Sequence, residues 1–141
     1  MIEKHEELLM CDKCYGLIKD DLGVKYLKHN SDLKLCDCKE CHRATAIKID
    51  KNIFGIVQAL NLKGYHTEGS CEGYGKYGAR IAFTILNKDF KLTTKKIPDG
   101  FILTKTMLYS TTLYKTQEEK REDEKRILYW IKNSLGDARW Q

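Results

Sequence analysis

Two CxxC pairs constrain this chain more than any other feature. Cys11-Asp12-Lys13-Cys14 and Cys38-Lys39-Glu40-Cys41 are separated by twenty-three residues. A zinc ion takes four soft, deprotonated ligands in a tetrahedron, and a CxxC turn sets two thiolates on one side of it. Two such turns, joined by a stretch long enough for a hairpin, complete the set. Tyr15-Gly16 follows the first pair, and glycine there suits the tight knuckle turn that aims backbone N–H groups at the sulfurs. Cys11, Cys14, Cys38 and Cys41 are therefore the expected ligands of a structural zinc ion, since catalytic zinc usually keeps three protein ligands and a water. The run from Cys36 to His42 holds more donors than one site needs. Cys36 can stand in for Cys38, and His42 for Cys41.

Five of the six cysteines crowd into these clusters, a layout that favours metal over cross-links and points to a reducing, cytoplasmic compartment. The start, Met1 to Glu7, has neither a basic n-region nor an apolar h-region. The longest uncharged run, Ile53 to Leu62, is too short to span a bilayer, so no membrane partner is expected. The net charge of +5 is unevenly spread. Residues 1–49 carry nine Lys/Arg against nine Asp/Glu, residues 50–115 ten against five, and residues 116–141 six against six. The basic middle invites an anionic partner, either a phosphorylated small molecule or nucleic acid.

The pattern predicts an α+β chain in two parts, a zinc ribbon over residues 1–49 and a helix–antiparallel sheet–helix domain over residues 50–141. In the first, Val24 to Lys28 and Leu33 to Leu35 read as strands flanking a turn at His29-Asn30-Ser31-Asp32. In the second, Asp50 is the expected N-cap of a helix that places Ile53, Ile56, Val57 and Leu60 on one face and stops at Gly64. Strands are expected through Ile81, Phe83 and Ile85, through Phe101-Ile102-Leu103 after a Pro98-Asp99-Gly100 turn, and from Leu108 to Tyr114. Thr116-Gln117-Glu118-Glu119 forms a capping box ahead of a stripe at Ile127, Leu128, Ile131 and Leu135. Lys120–Glu124 and Glu122–Arg126 are spaced as i,i+4 ion pairs.

The second constellation is Gly69-Ser70-Cys71-Glu72-Gly73-Tyr74-Gly75-Lys76-Tyr77-Gly78, followed by Arg80. Glycine permits positive φ and lets backbone N–H groups approach an anion closely. Ser70, Glu72, Gly73, Gly75, Lys76, Tyr77 and Arg80 are the expected ligand-binding set: a hydroxyl, two cations and an aromatic ring able to stack on a base. The plainer alternative is a hairpin loop whose glycines only satisfy turn geometry. Cys71 reads as a structural cysteine in preference to a nucleophile served by His66 as base. Tyrosines interleaved with lysines, as at Tyr114-Lys115, suit either strand packing or single-stranded nucleic acid. Trp140 offers a self-association contact, which would make a homo-oligomer.

The stretch from Ile49-Asp50 through Leu60-Asn61 and Lys63-Gly64-Tyr65 to Ser70-Cys71-Glu72-Gly73 resembles a signature of small uncharacterised proteins of Gram-positive bacteria and their phages. So do the Pro98-Asp99-Gly100-Phe101 turn and the Leu128-Tyr129-Trp130 helix, and a zinc ribbon is often an independent addition to such proteins. More distantly, the loop is similar to the Ser-Cys-Ser-Gly motif of the wybutosine-pathway tRNA methyltransferases, which bind S-adenosylmethionine. That motif maps onto Ser70, Cys71, Glu72 and Gly73, with Glu72 replacing its second serine. Tyr74 stands where the small proteins carry histidine.

These observations favour a non-catalytic, zinc-containing protein whose glycine-rich loop holds an anionic, nucleotide-like ligand. The phage resemblance implies an accessory, anti-defence use, with a host protein as a further possible partner. A nucleic-acid-binding zinc-ribbon protein and an S-adenosylmethionine-dependent RNA-modifying enzyme are the alternatives.

Overall fold

The computed structural model describes residues 6–28, 32–39, 43–71, 80–83, 97–103, 107–111 and 116–135. Strand β1 (Glu7–Met10) pairs antiparallel with β2 (Ile47–Asp50), from Glu7 opposite Asp50 to Met10 opposite Ile47. Leu8 and Met10 are buried while Glu7 is exposed, the alternation of a strand with one face in the core. After the first cysteine turn the chain runs back through Leu17, which bridges Met10 antiparallel and Leu35 parallel.

Between Leu17 and Leu35 the structure departs from the expected ribbon hairpin. Residues expected as its first arm, from Val24 onward, fall largely in helix α1 (Asp21–Leu27). The cause is local: the Asp20 carboxylate accepts the Gly23 N–H at 2.7 Å and caps the helix. Leu22, Tyr26 and Leu27 share one helical face packed on the core, and Val24 stands in solvent. The expected second arm is reduced to the single bridge at Leu35, parallel to its partner.

A short 3₁₀ turn (Lys51–Ile53) leads into helix α2 (Phe54–Leu62). Asp50 sits at the boundary but makes no side-chain cap; it is the buried last residue of β2. Helix α2 is buried on nearly all sides, Gln58 and Asn61 included. It ends as its glycine predicts, with Gly64 at a φ of 90°, the Tyr65 N–H reaching Leu60 O and the Gly64 N–H reaching Asn61 O.

Strands β3 (Thr67–Cys71), β4 (Arg80–Phe83), β5 (Phe101–Leu103) and β6 (Met107–Ser110) form an antiparallel sheet in the order β3-β4-β6-β5. The Pro98-Asp99-Gly100 turn precedes β5, with Gly100 at a φ of 89°. The expected continuations through Ile85 and through Tyr114 lie outside the described residues.

Helix α3 (Gln117–Asn133) begins at Thr116, whose hydroxyl accepts the Glu119 N–H. Ile127, Ile131 and Leu135 are buried as expected, joined by Trp130. Arg126 pairs with Asp123 at 2.7 Å rather than with Glu122, because its guanidinium also reaches Asp99 O and lies over the Phe101 ring. One hydrophobic cluster takes Leu8, Met10 and Leu17 together with Phe54, Val57, Leu60, Tyr65 and Ile131. The cysteine module and the helices thus share a core.

Candidate metal centre

The first pair of thiols is set by a tight turn between Met10 and Leu17. The Cys11 N–H donates to Gly16 O, the Tyr15 N–H donates to Cys11 O, and Tyr15 takes a left-handed φ of 62°. The Lys13 N–H points at the Cys11 sulfur at 3.4 Å. Gly16 has a second reason to be glycine. A Cβ there would stand 2.4 Å from both Leu35 C and Cys36 N. The missing side chain lets the segment bearing the second pair lie directly against the turn. That segment is held by the Leu17 N–H to Lys34 O and the Cys36 N–H to Leu17 O, both at 2.9 Å.

The result brings together the sulfurs of Cys11, Cys14, Cys36 and Cys38, all within 4.8 Å of one another. Cys11 and Cys38 sulfurs are 3.8 Å apart. A tetrahedron with zinc–sulfur bonds of about 2.3 Å has sulfur–sulfur edges of about 3.8 Å, whereas a disulfide closes to about 2.05 Å. The donor set fits a metal ion. Four thiolates fill a tetrahedron and leave no open position for substrate or water, the arrangement of a structural site.

Cys11, Cys14 and Cys38 of the expected set are in the cluster, and Cys36 is the fourth described member, giving spacings of CxxC and CxC. Cys41 and His42 lie outside the described residues.

Proton affinities within the cluster are spread widely. Burial opposes the Cys14 thiolate, but the backbone N–H groups of Gly16 and Asp37 and the Cys11 and Cys36 thiols outweigh it and bring its pKa to about 7. Burial pushes Cys38 up to about 12, with Cys14, Cys11 and Cys36 adding to the effect. The Cys38 N–H favours a thiolate at Cys36, yet burial and the neighbouring Cys14 and Cys11 raise its pKa above the ordinary thiol value. One sulfur is ready to ionise and two hold their protons until a cation replaces them.

The support around the cluster comes from a residue that sequence reasoning missed. Gln58, buried in α2, donates from Nε2 to Tyr15 O (2.9 Å) and Lys34 O (2.8 Å) and accepts the Lys34 N–H (3.0 Å). It thereby ties both cysteine-bearing segments to one helix. Its only signal in the sequence is a polar residue inside an apolar helical run. Lys34 Nζ donates in turn to Cys14 O.

Of the expected ligand-binding set, Ser70 lies in β3 opposite Ile81, and Arg80 lies in β4 opposite Cys71. Glu72, Gly73, Gly75, Lys76 and Tyr77 lie outside the described residues, between these two strands. His66 is turned to the knuckle, its Nδ1 3.1 Å from the Tyr15 hydroxyl. No helix among the described residues is long and apolar enough to cross a membrane. No protein-family model matches this chain, and no curated protein or solved structure is detectably similar to it.

Proposed function

We propose that this is a non-catalytic zinc-binding protein in which the metal organises the N-terminal module and the β3–β4 hairpin presents an anion-binding segment. The observation that carries the metal assignment is the convergence of four thiols within 4.8 Å, one pair of them, Cys11 and Cys38, at the 3.8 Å edge of a tetrahedral zinc site. A four-cysteine site of this kind is kept reduced in the cytoplasm, the compartment this reading proposes for the protein.

For the ligand, support comes from topology. Cys71 and Arg80 face each other at the point where β3 and β4 open into the glycine-rich segment 72–79. Residues 70 to 80 therefore start and end at one place on the sheet, which suits a loop that closes on a phosphate. With the phage resemblance, the use proposed is sequestration of a nucleotide-like signal.

Native mass spectrometry of the untagged protein tests both parts. One zinc per chain and a co-purifying phosphorylated small molecule are expected, with Arg80→Ala losing the small molecule and keeping the zinc. A metal-free protein refutes the zinc assignment, and retention of the molecule by Arg80→Ala refutes the hairpin site.

A further inference from the structure

A cleft of about 550 Å³ lies between α1, the start of α2 and α3. Its size falls within the usual range for small-molecule sites, roughly 300–1,000 Å³. Lys51, Arg121 and Lys125 bring three cations to it from two separate elements. Tyr26, Leu33 and Leu128 supply its apolar surface. Along α3, Arg121 and Leu128 are seven residues apart, or about 10 Å at 1.5 Å per residue. The cleft therefore offers both cationic and apolar wall along α3.

Two details narrow the ligand. Glu124, 8% exposed, lines the cleft between Arg121 and Leu128 on α3. A buried carboxylate repels a bare polyanion pushed past the mouth but accepts hydrogen bonds from hydroxyl or ring N–H groups. Gly55 forms part of the wall, and a Cβ there would touch Leu128 and Leu33 side chains at 3.4 Å each. Glycine keeps this part of the cleft open.

Two of these cations already have acidic partners. Lys51 reaches Glu6 at 3.4 Å in a half-buried pair, and Lys125 reaches Glu122 at 3.6 Å in an exposed pair worth about 0–1 kcal/mol. Asp32, also lining the cleft, is engaged with Lys132 at 3.4 Å. We infer that this cleft is a second binding site, for a nucleoside monophosphate, with the phosphate between Lys51, Arg121 and Lys125, donor groups of the sugar or base toward Glu124, and the ring against Tyr26 and Leu128. This site is separate from the proposed hairpin site and does not depend on it.

The test is amide NMR titration of the zinc-loaded full chain with AMP, GMP, CMP and UMP, with the parent nucleosides and inorganic phosphate as partial ligands. At least one monophosphate is expected to bind with a Kd below 1 mM, with phosphate and nucleoside each at least tenfold weaker. Arg121→Gln, an exposed change, should weaken binding at least fivefold, Gly55→Leu should abolish it by filling the cleft, and Lys48→Gln, an exposed change on β2 that does not line the cleft, should leave it unchanged. Should the amide spectrum show Gly55→Leu unfolded, Arg121→Gln decides. The proposal is overturned if no monophosphate shifts resonances at millimolar concentration, if phosphate binds as well as the nucleotides, or if Arg121→Gln weakens binding no more than Lys48→Gln does.

Discussion

Replacing Gly16 with alanine adds one methyl group at the place where the two cysteine-bearing segments touch. Its carbon would lie 2.4 Å from Leu35 C and Cys36 N and 2.6 Å from Cys36 Cα. All three are backbone atoms, so no rotamer change relieves the contact, and an ordinary separation requires the 34–36 segment to retreat by about 1 Å. Overpacking of this kind costs about 1–3 kcal/mol. The retreat also stretches the Leu17 N–H to Lys34 O and Cys36 N–H to Leu17 O bonds, each contributing about 0.5–1.5 kcal/mol. The total is about 2–6 kcal/mol, the upper end applying if both bonds are lost. Metal–sulfur distances tolerate only about 0.2 Å, so Cys36 and Cys38 cannot follow the displacement and remain ligands with Cys11 and Cys14. At about 1.4 kcal/mol per factor of ten, zinc affinity should fall at least roughly 30-fold, and up to roughly 20,000-fold if both bonds are lost. Competition with a chromogenic chelator measures this, and thermal unfolding of the loaded protein provides the companion reading. Gly55→Ala, where the new carbon meets only flexible side-chain tips at 3.4 Å, is the matched control. Wild-type affinity and Tm in Gly16→Ala would refute the argument that bare backbone at this position brings the second cysteine pair into the site.

Gln58→Leu removes three hydrogen bonds and leaves the Lys34 N–H and the Tyr15 and Lys34 carbonyls without their partner. A loss of about 3–5 kcal/mol is expected, seen as a Tm lower by roughly 8–15 °C; a change below about 2 °C would show that water replaces the amide freely. Cys36→Ser should weaken zinc binding as strongly as Cys11→Ser, while Cys41→Ser leaves it intact; the reverse ranking at Cys36 and Cys41 would move the fourth ligand out of the described cluster. Zinc uptake by the reduced, metal-free protein at pH 8 should release at least two protons per ion. Cys14, with a pKa of about 7, is already mostly thiolate there, whereas Cys38, at about 12, and Cys36, also raised, surrender protons only to the metal. Calorimetry in buffers of different ionisation enthalpy counts them, and a value below one removes these two thiols from the site. Because the folded pKa of Cys38 exceeds the ordinary thiol value of 9.0, its stabilising effect is present below pH 9 and lost toward 12. The metal-free protein should accordingly unfold more readily as the pH rises through that window, a trend visible in denaturant midpoints.

The parts of the fold that were legible in the sequence are those whose cause lies within a few residues. The Thr116 cap, the Gly64 stop and the turn before Phe101 each follow from a side chain and a backbone group close along the chain. Helix α1 was harder to see because Val24-Lys25-Tyr26-Leu27-Lys28 mixes apolar and charged residues as a strand would, and Gly23 reads as a breaker. The deciding contact, from Asp20 to the Gly23 N–H, makes that glycine part of the cap region. The metal site was legible as a four-cysteine cluster, with Cys11, Cys14 and Cys38 of the expected set in it beside Cys36, and Cys41 outside the described residues. Cys36, Cys38, Cys41 and His42 are equivalent as donors on paper, and what brings Cys36 in is the close approach of its backbone to Gly16. Arg126 chose Asp123 over Glu122 for a similar reason: contacts to Asp99 and Phe101, distant in sequence, fix its direction.

Gln58 and Asn61 give the metal site its reach. They lie three residues apart on α2, both buried, and each is engaged with another element. Gln58 holds the backbone of both cysteine-bearing segments. Asn61 donates to the Thr67 hydroxyl at 3.1 Å and accepts the Thr67 N–H at 3.3 Å, fixing the first residue of β3. A second route runs from Tyr15, next to Cys14 in the knuckle, to His66, next to Thr67. The start of the strand that leads into the glycine-rich segment is thus joined to the cysteine cluster by two independent sets of polar contacts. Both depend on the left-handed turn at Tyr15, and the first also on the position of Lys34, which a metal bound by all four thiols would lock. In this geometry an ion held by the four thiols would act beyond its own loop, because the helix that carries Gln58 also sets where β3 begins.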